Sequence, residues 1–168
     1  MKLELITREP ETATHSAPIL FLHGMFHGAW CWEEHFLPYF TQHGYAVHAL
    51  SLRGHAYSEG RGRLRWTSLA DYLSDLNQAV KQLPSPPVLV GHSMGGMIIQ
   101  KYLQFHPSPA AVLLASVSPK GLLPATLSAL RLHPLIFIKA NLTLSTYPVV
   151  GTPERCRELF FSPDMQIG

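Results

Sequence analysis

Residues 88–96 read VLVGHSMGG. Three aliphatic residues, Val88 to Val90, run into a G-x-S-x-G turn, and an apolar stretch with helical spacing, MIIQKYLQF at 97–105, follows at once. A strand feeding such a turn, with a helix starting on it, is the context in which the serine acts as a nucleophile at a sharp elbow. The serine backbone is strained there and lies close to the neighbouring strand and helix. Gly91 and Gly95 remove the side chains that would collide, and Gly96 eases helix–sheet packing. Ser93 then stands at a helix N-terminus, where the dipole and the backbone N–H of Met94 favour a developing oxyanion. The plainer alternative is a strand–turn–helix connection with an incidental serine, since glycine and serine are common turn residues.

The rest of the chain supplies a sheet for this elbow. KLELITR (2–8) alternates and is expected to open as a strand, and APILFLHG (17–24) is a continuous apolar run closed by glycine, as in a strand covered on both faces. CWEEHFLPYFTQHG (31–44) carries Trp32, Phe36, Tyr39 and Phe40 at helical spacing and ends in a helix-stopping Gly44, with Pro38 expected to kink or shorten it. YAVHALSL (45–52) is the next strand, leading into a Gly- and Arg-rich loop. The following helix has a capping-box-like start at Ser68 and Asp71 and an apolar stripe of Leu69, Tyr72, Leu73, Leu76, Val80 and Leu83. A helix over 94–105 and a buried-type strand over 110–117 complete an alternation of strands and helices. The expected class is therefore α/β: a doubly wound, mainly parallel sheet with helices on both faces. From Gly121 the pattern gives only helices and turns.

FLHGMFHGAW (21–30) ends an earlier strand, and ligand sites in open α/β sheets gather at the carboxyl ends of strands. A tight turn at His23–Gly24 leaves the N–H of Met25 free as a second oxyanion donor; alternatively the turn is only a turn and His23 a packed core residue.

With 168 residues, 46% hydrophobic and 14% charged, the chain is of one-domain size and of globular composition. A net charge of +2 without a Lys/Arg block gives no indication of a nucleic-acid partner. Two cysteines, Cys31 and Cys156, make no disulfide framework and are expected to be thiols in a reducing compartment. No signal peptide is visible at the N-terminus, and no apolar run reaches the roughly 20 residues that span a bilayer, so a cytoplasmic location is expected. Ten histidines do not make a metal site: His23 and His27 fall on a strand end and a loop rather than on one helix face. Neither a metal nor another cofactor is expected.

Together, LFLHGMFHGAW (20–30), LRGHAYS (52–58) and LVGHSMGG (89–96) resemble the α/β-hydrolase superfamily, in its order and at plausible separations; the likeness covers residues 1–121 well and the tail loosely. That resemblance, to the lid-containing esterase- and lipase-like branch, implies Ser93 as nucleophile and the backbone N–H groups of Met25 and Met94 as oxyanion hole. It implies hydrolysis of an ester, thioester or related acyl bond of a small-molecule substrate through an acyl-enzyme. The middle motif departs from the family's D-x-R-G-x-G-x-S, with Ser51 in place of the acid and Ala56 in place of the second glycine. A serine at 93 argues against the dehalogenase and epoxide hydrolase branches, which use Asp. Residues 1–120 then correspond to the N-terminal part of the core and 121–168 to the start of a helical lid, for which LHPLIFIKANL (132–142) suits an apolar acyl group; ordinary packing of these helices on the sheet is the alternative. Phe26, Trp30 and Trp32 either face such a substrate or belong to the core.

The family's triad runs Ser, acid, His along the chain. After Ser93 only His106 and His133 remain. On a continuous helix, a rise of about 1.5 Å per residue places His106 on the order of 20 Å from the serine. His133 and the carboxylates of Glu154, Glu158 and Asp164 follow no strand, and His92 adjoins the serine but points away. The triad acid and histidine are thus not identified, and the expectation is a truncated hydrolase with little activity by itself, whose acid and base lie beyond Gly168. Alternatives are a non-catalytic binding or remnant domain, or a lyase or cofactor-free peroxidase on the same scaffold. Without later strands, the strand at 110–117 becomes an apolar sheet edge open to self-association.

Overall fold

The computed structural model describes residues 1–118, 127, 130–131, 134–143, 147–162 and 164. The chain divides into two compact units, Met1–Gly121 and Leu122–Gly168.

The first unit is built on a five-stranded sheet of β1 (Glu4–Arg8), β2 (Ile19–Leu22), β3 (Val47–Ser51), β4 (Val88–His92) and β5 (Ala111–Leu114), in spatial order β1-β3-β2-β4-β5. β2 pairs in parallel with both β3 and β4, and β4 in parallel with β5; β1 alone is antiparallel, with Glu4 opposite Ser51 and Arg8 opposite Val47. The alternation of side chains along each strand sorts the core into two layers. Leu20, Leu22, Leu50, Leu52 and Leu89 pack on one face with helices α2 (Leu69–Val80) and α3 (Met94–Tyr102). Ile19, Phe21, Val47, Ala49 and Val90 pack on the other with Trp32 and with Leu37 of helix α1 (Phe36–Gln42). This is the mixed, mainly parallel α/β sheet with helices on both faces that the pattern implied.

Local departures have physical causes. The single helix expected over 31–44 is a 3₁₀ turn, Ala29–Trp32, followed by α1. Pro38 sits in the first turn of α1, where N–H groups have no intrahelical partner and a missing one costs nothing, so proline shortens the helix without kinking it. The capping box forms as read: Ser68 Oγ accepts from the Asp71 N–H at 3.2 Å, and Asp71 accepts from the Ser68 N–H at 2.9 Å. α3 stops at Tyr102 rather than Phe105, and His106 folds back to stack on Tyr102.

β5 does not behave as a buried strand. It is the outer strand next to β4, and its Val112 and Leu113 are 46% and 43% exposed. Its continuous apolar composition suggested burial, but composition does not tell a covered strand from an apolar one at an edge, the place also expected for it in the absence of later strands.

In the second unit, helices α4 (Pro134–Thr143), α5 (Tyr147–Val150) and α6 (Pro153–Phe160) are described, the last capped by Thr152. Among the described residues no helix is long and apolar enough to cross a membrane.

Candidate active site

Ser93 is the residue between β4 and α3, with φ 52° and ψ −113°. A side chain in that region costs on the order of 1–3 kcal/mol, and it persists only when the surroundings over-determine it. They do so here. The Ser93 N–H donates to the carbonyl of Leu114 at 3.0 Å, and the Ser93 carbonyl accepts from the N–H of Val117 at 3.1 Å. The end of β5 therefore grips the serine backbone on both sides. Gln100 of α3 holds that grip in place, donating to Ser116 Oγ at 2.8 Å and to the Val117 carbonyl at 3.1 Å.

A Cβ has no room at either glycine of the turn. A Cβ on Gly91 would lie 2.6 Å from Ile99 Cδ1 and 2.7 Å from backbone atoms of Gly95 and Gly96. On Gly95 it would lie 2.6 Å from the carbonyl oxygen of Leu22 and 2.7 Å from that of His23. Both obstacles are backbone of β2 and its loop, so neither can swing aside. Gly95→Ala is expected to cost about 2 kcal/mol through overpacking, measured as a lower urea midpoint with an unchanged m-value.

Gly24, expected from sequence only as a tight turn, also completes the contact from the β2 side. A Cβ there would sit 3.2 Å from Ser93 Cβ and 2.9 Å from His92 Nδ1. The β2 loop thus reaches the serine through a glycine. Beyond it, the N–H of Met25 makes no hydrogen bond among the described residues. Met94, the first residue of α3, likewise has an N–H without an intrahelical acceptor. Adjacent parallel strands β2 and β4 thus carry both candidate donors at their carboxyl ends.

Four histidines surround these loops. His23 is fully buried, and its two ring nitrogens are committed: Nε2 accepts from the Leu52 N–H at 3.0 Å, so Nδ1 carries the proton and donates to the Gly24 carbonyl at 2.7 Å. Burial pushes its pKa down to about 4, so the ring is neutral near pH 7. His23 therefore both packs in the core and sets the Gly24 turn, combining the two readings left open from sequence. His55 joins the loops after β2 and β3, with Nε2 2.9 Å from the Met25 carbonyl and Nδ1 3.0 Å from the Arg53 carbonyl. Burial also lowers the pKa values of His27 and His92, whose rings lie 6.0 Å apart. No group of His, Cys, Asp and Glu among the described residues could hold a metal ion.

The departures in LRGHAYS have compensations that sequence alone could not show. Ser51 donates to Glu4 Oε2 at 2.5 Å and accepts from the Ala29 N–H at 2.8 Å. Glu4 stands opposite Ser51 in the antiparallel register, so β1 supplies a carboxylate where the motif lacks one. Arg53 is fixed by Asp75, nearly fully buried, with Nη2 to Oδ1 at 2.7 Å, and by Asp71 at 2.6 Å. Ala56, in the place of a glycine, has φ 44°. Left-handed backbone costs a non-glycine residue about 1–2 kcal/mol, whereas glycine loses about 0.5–1 kcal/mol more entropy on folding. Ala56→Gly is accordingly expected to raise stability by about 0.5 kcal/mol, read as a small increase in the urea midpoint.

The remaining candidates stand as follows. His106 is at the far end of α3 from Ser93. His133 lies outside the described residues. Glu154, Glu158 and Asp164 belong to the second unit; Glu154 is in the first turn of α6, where backbone N–H and the Thr152 side chain hold its carboxyl below the usual range. Cys31 and Cys156 are free, and burial pushes the Cys31 thiol up to about 11. Of the three aromatics near the first loop, Trp32 is core, whereas Phe26 and Trp30 are 39% and 55% exposed.

Comparison with known proteins bears on the family and the fold. The chain is 30% identical over 111 residues to the pyrethroid hydrolase of Sphingobium wenxiniae, an overlap of 64% of this chain and 39% of that protein. It is 30% identical over 110 residues to methylesterase 3 of Arabidopsis thaliana, covering 64% of this chain and 40% of the relative. The chain thus spans about two-fifths of the length of these relatives. A probable hydrolytic enzyme from Pseudomonas aeruginosa shares the fold with a TM-score of 0.64 at 23% identity, over 74% of this chain and 39% of the other. Residues 19–165 match the model of the alpha/beta hydrolase family, and the chain belongs to that family.

Proposed function

We propose that this chain carries the nucleophile half of a serine hydrolase that cleaves an ester or related acyl bond through an acyl-enzyme at Ser93. The observation that carries this reading is the strained Ser93 backbone, held by β5 beside two unengaged N–H groups, those of Met25 and Met94. A carbonyl carbon presented to Ser93 Oγ places its oxygen toward those donors, and charge forming on that oxygen is stabilised where the helix dipole is positive. Pyrethroid hydrolase and methylesterase names among the relatives support ester chemistry.

Among the described residues of Met1–Gly121 no histidine ring is hydrogen-bonded to a carboxylate, so no base and orienting acid are paired there. In this proposal both come from sequence beyond Gly168, and residues 121–168 begin a helical lid over the acyl group. The short chain keeps the oxyanion donors, which alone support a residual rate about 10³–10⁴-fold above water.

A fluorophosphonate probe tests the nucleophile. Slow covalent labelling located at Ser93 by peptide mass supports the reading; folded protein labelled no faster there than at exposed serines points to a non-catalytic member of the fold. Reading the coding sequence downstream tests the origin of the triad. A strand-end acid followed by a histidine supports it, and an authentic stop codon at Gly168 overturns it.

A further inference from the structure

One hollow shares Met25 with the candidate oxyanion site and is otherwise lined by residues that the nucleophile reading does not use. It has a volume of about 270 Å³ and lies between the loop after β2 and the loop after β3, lined by Met25, Phe26, His27, Trp30, His55, Arg61 and Leu64 among others. That is near the lower end of the range for small-molecule sites, enough for a ring-sized group. Met25 belongs both to this wall and to the candidate oxyanion site, so a group seated here is attached close to the reacting carbonyl.

The far wall is a 3₁₀ segment, Arg61–Trp66. With three residues per turn, side chains three apart lie on one face. Arg61 and Leu64 are such a pair, and both line the hollow, while Arg63 and Arg65 do not. The segment is seated by design of its neighbours. Gly60 enters it with φ 102°, the Gly54 N–H donates to the Glu59 carbonyl at 2.8 Å, and Leu64 packs on Gly54, where a Cβ would meet its Cδ1 at 2.8 Å.

The polar inventory of the wall is uneven. Both nitrogens of His55 face backbone carbonyls, so that ring is occupied in holding the two loops together. Arg61 forms neither an ion pair nor a hydrogen bond among the described residues, in contrast to Arg8 and Arg53. No carboxylate lines the hollow to neutralise it. A guanidinium sharing one wall with Phe26, Trp30 and Leu64 suits a flat apolar frame ending in a carboxylate.

We infer that this hollow is a specificity subsite for esters whose acyl or alcohol part carries a free carboxylate, with Arg61 as the residue that selects it. The inference rests on the hydrolase reading above for its role in turnover, but binding is separable from chemistry. Monomethyl terephthalate and the neutral diester dimethyl terephthalate, larger by one methyl group, are the probes, titrated into the intact chain by tryptophan fluorescence at low ionic strength. Because Arg61 is exposed, the charged pair contributes modestly, and the monoacid is expected to bind about fivefold tighter than the diester.

Arg61→Gln should erase that preference. Arg63→Gln, which removes the same charge from the same loop but not from the wall, should keep it. Equal affinities for the two probes in the parent chain overturn the inference, as does a preference that survives Arg61→Gln. An equal loss in both variants also overturns it, because that reports the general positive field of the loop. Fluorophosphonate labelling at Ser93 is scored separately, so failure of the subsite and failure of the nucleophile are told apart.

Discussion

Ser93→Ala is expected to abolish covalent fluorophosphonate labelling at the elbow while leaving the fold intact. The two halves of that result have separate causes. Labelling needs the hydroxyl oxygen, which Ser93 holds at the strand–helix junction beside the N–H groups of Met25 and Met94. The fold does not need it: Ser93 makes no side-chain cap hydrogen bond to α3, and its strained φ of 52° is no worse for alanine than for serine. Its backbone bonds to Leu114 and Val117 are untouched by the exchange. Unfolding free energies of parent and variant, from urea titration, should therefore agree within about 0.5 kcal/mol, the usual spread for a change that breaks no packing or buried bond. In a chain that also contains the acid and histidine, the same substitution should lower kcat by about 10⁶-fold. Labelling that persists in Ser93→Ala locates the reactive group elsewhere.

Acidification is expected to remove a large share of the stability. His23 has a folded pKa of about 4 against an ordinary 6.5, because burial disfavours its charged form, with His55, His27 and His92 adding to the effect. Between those two values the unfolded chain takes up a proton that the folded chain refuses. The contribution is intact above pH 6.5, declines as the pH falls and is lost near pH 4. At about 1.4 kcal/mol per pH unit of separation, the full loss is on the order of 3 kcal/mol. Burial acts in the same direction on His27, His48 and His92. Urea unfolding at pH 7 and pH 4.5 measures the slope. His23→Gln should give a less stable protein at pH 7 with a flatter pH profile; an unchanged profile removes His23 as the cause.

What could be read from the sequence depended on whether the information was local. VLVGHSMGG carries its own strand, turn and helix start, so the elbow was legible. Ser68 and Asp71 were legible for the same reason, because a capping box is decided within one turn. Glu4 as the partner of Ser51 was not, because it follows from an antiparallel register between strands far apart in the chain. The buried tie from Arg53 to Asp75 is hidden similarly: a buried aspartate on a helix stripe looks like any solvated one until the loop facing it is known. Exposure of β5 depends on what lies beside it, a property of the sheet and not of AVLL.

The placement of β2 bears on how the protein acquires its reactivity. β2 is the central strand, yet both of its neighbours come later in the chain, β3 at Val47 and β4 at Val88. Its ILFL segment pairs with strands that follow it in the chain. Pairing it requires closing long loops against chain entropy, the kind of topology that folds slowly. Gly24 meets Ser93 only across the β2–β4 junction, so nucleophile and oxyanion loop come together in that same late event. Reactivity of Ser93 toward a covalent probe is thus a clock for folding: during refolding it should rise with the slowest phase and lag behind the formation of α2.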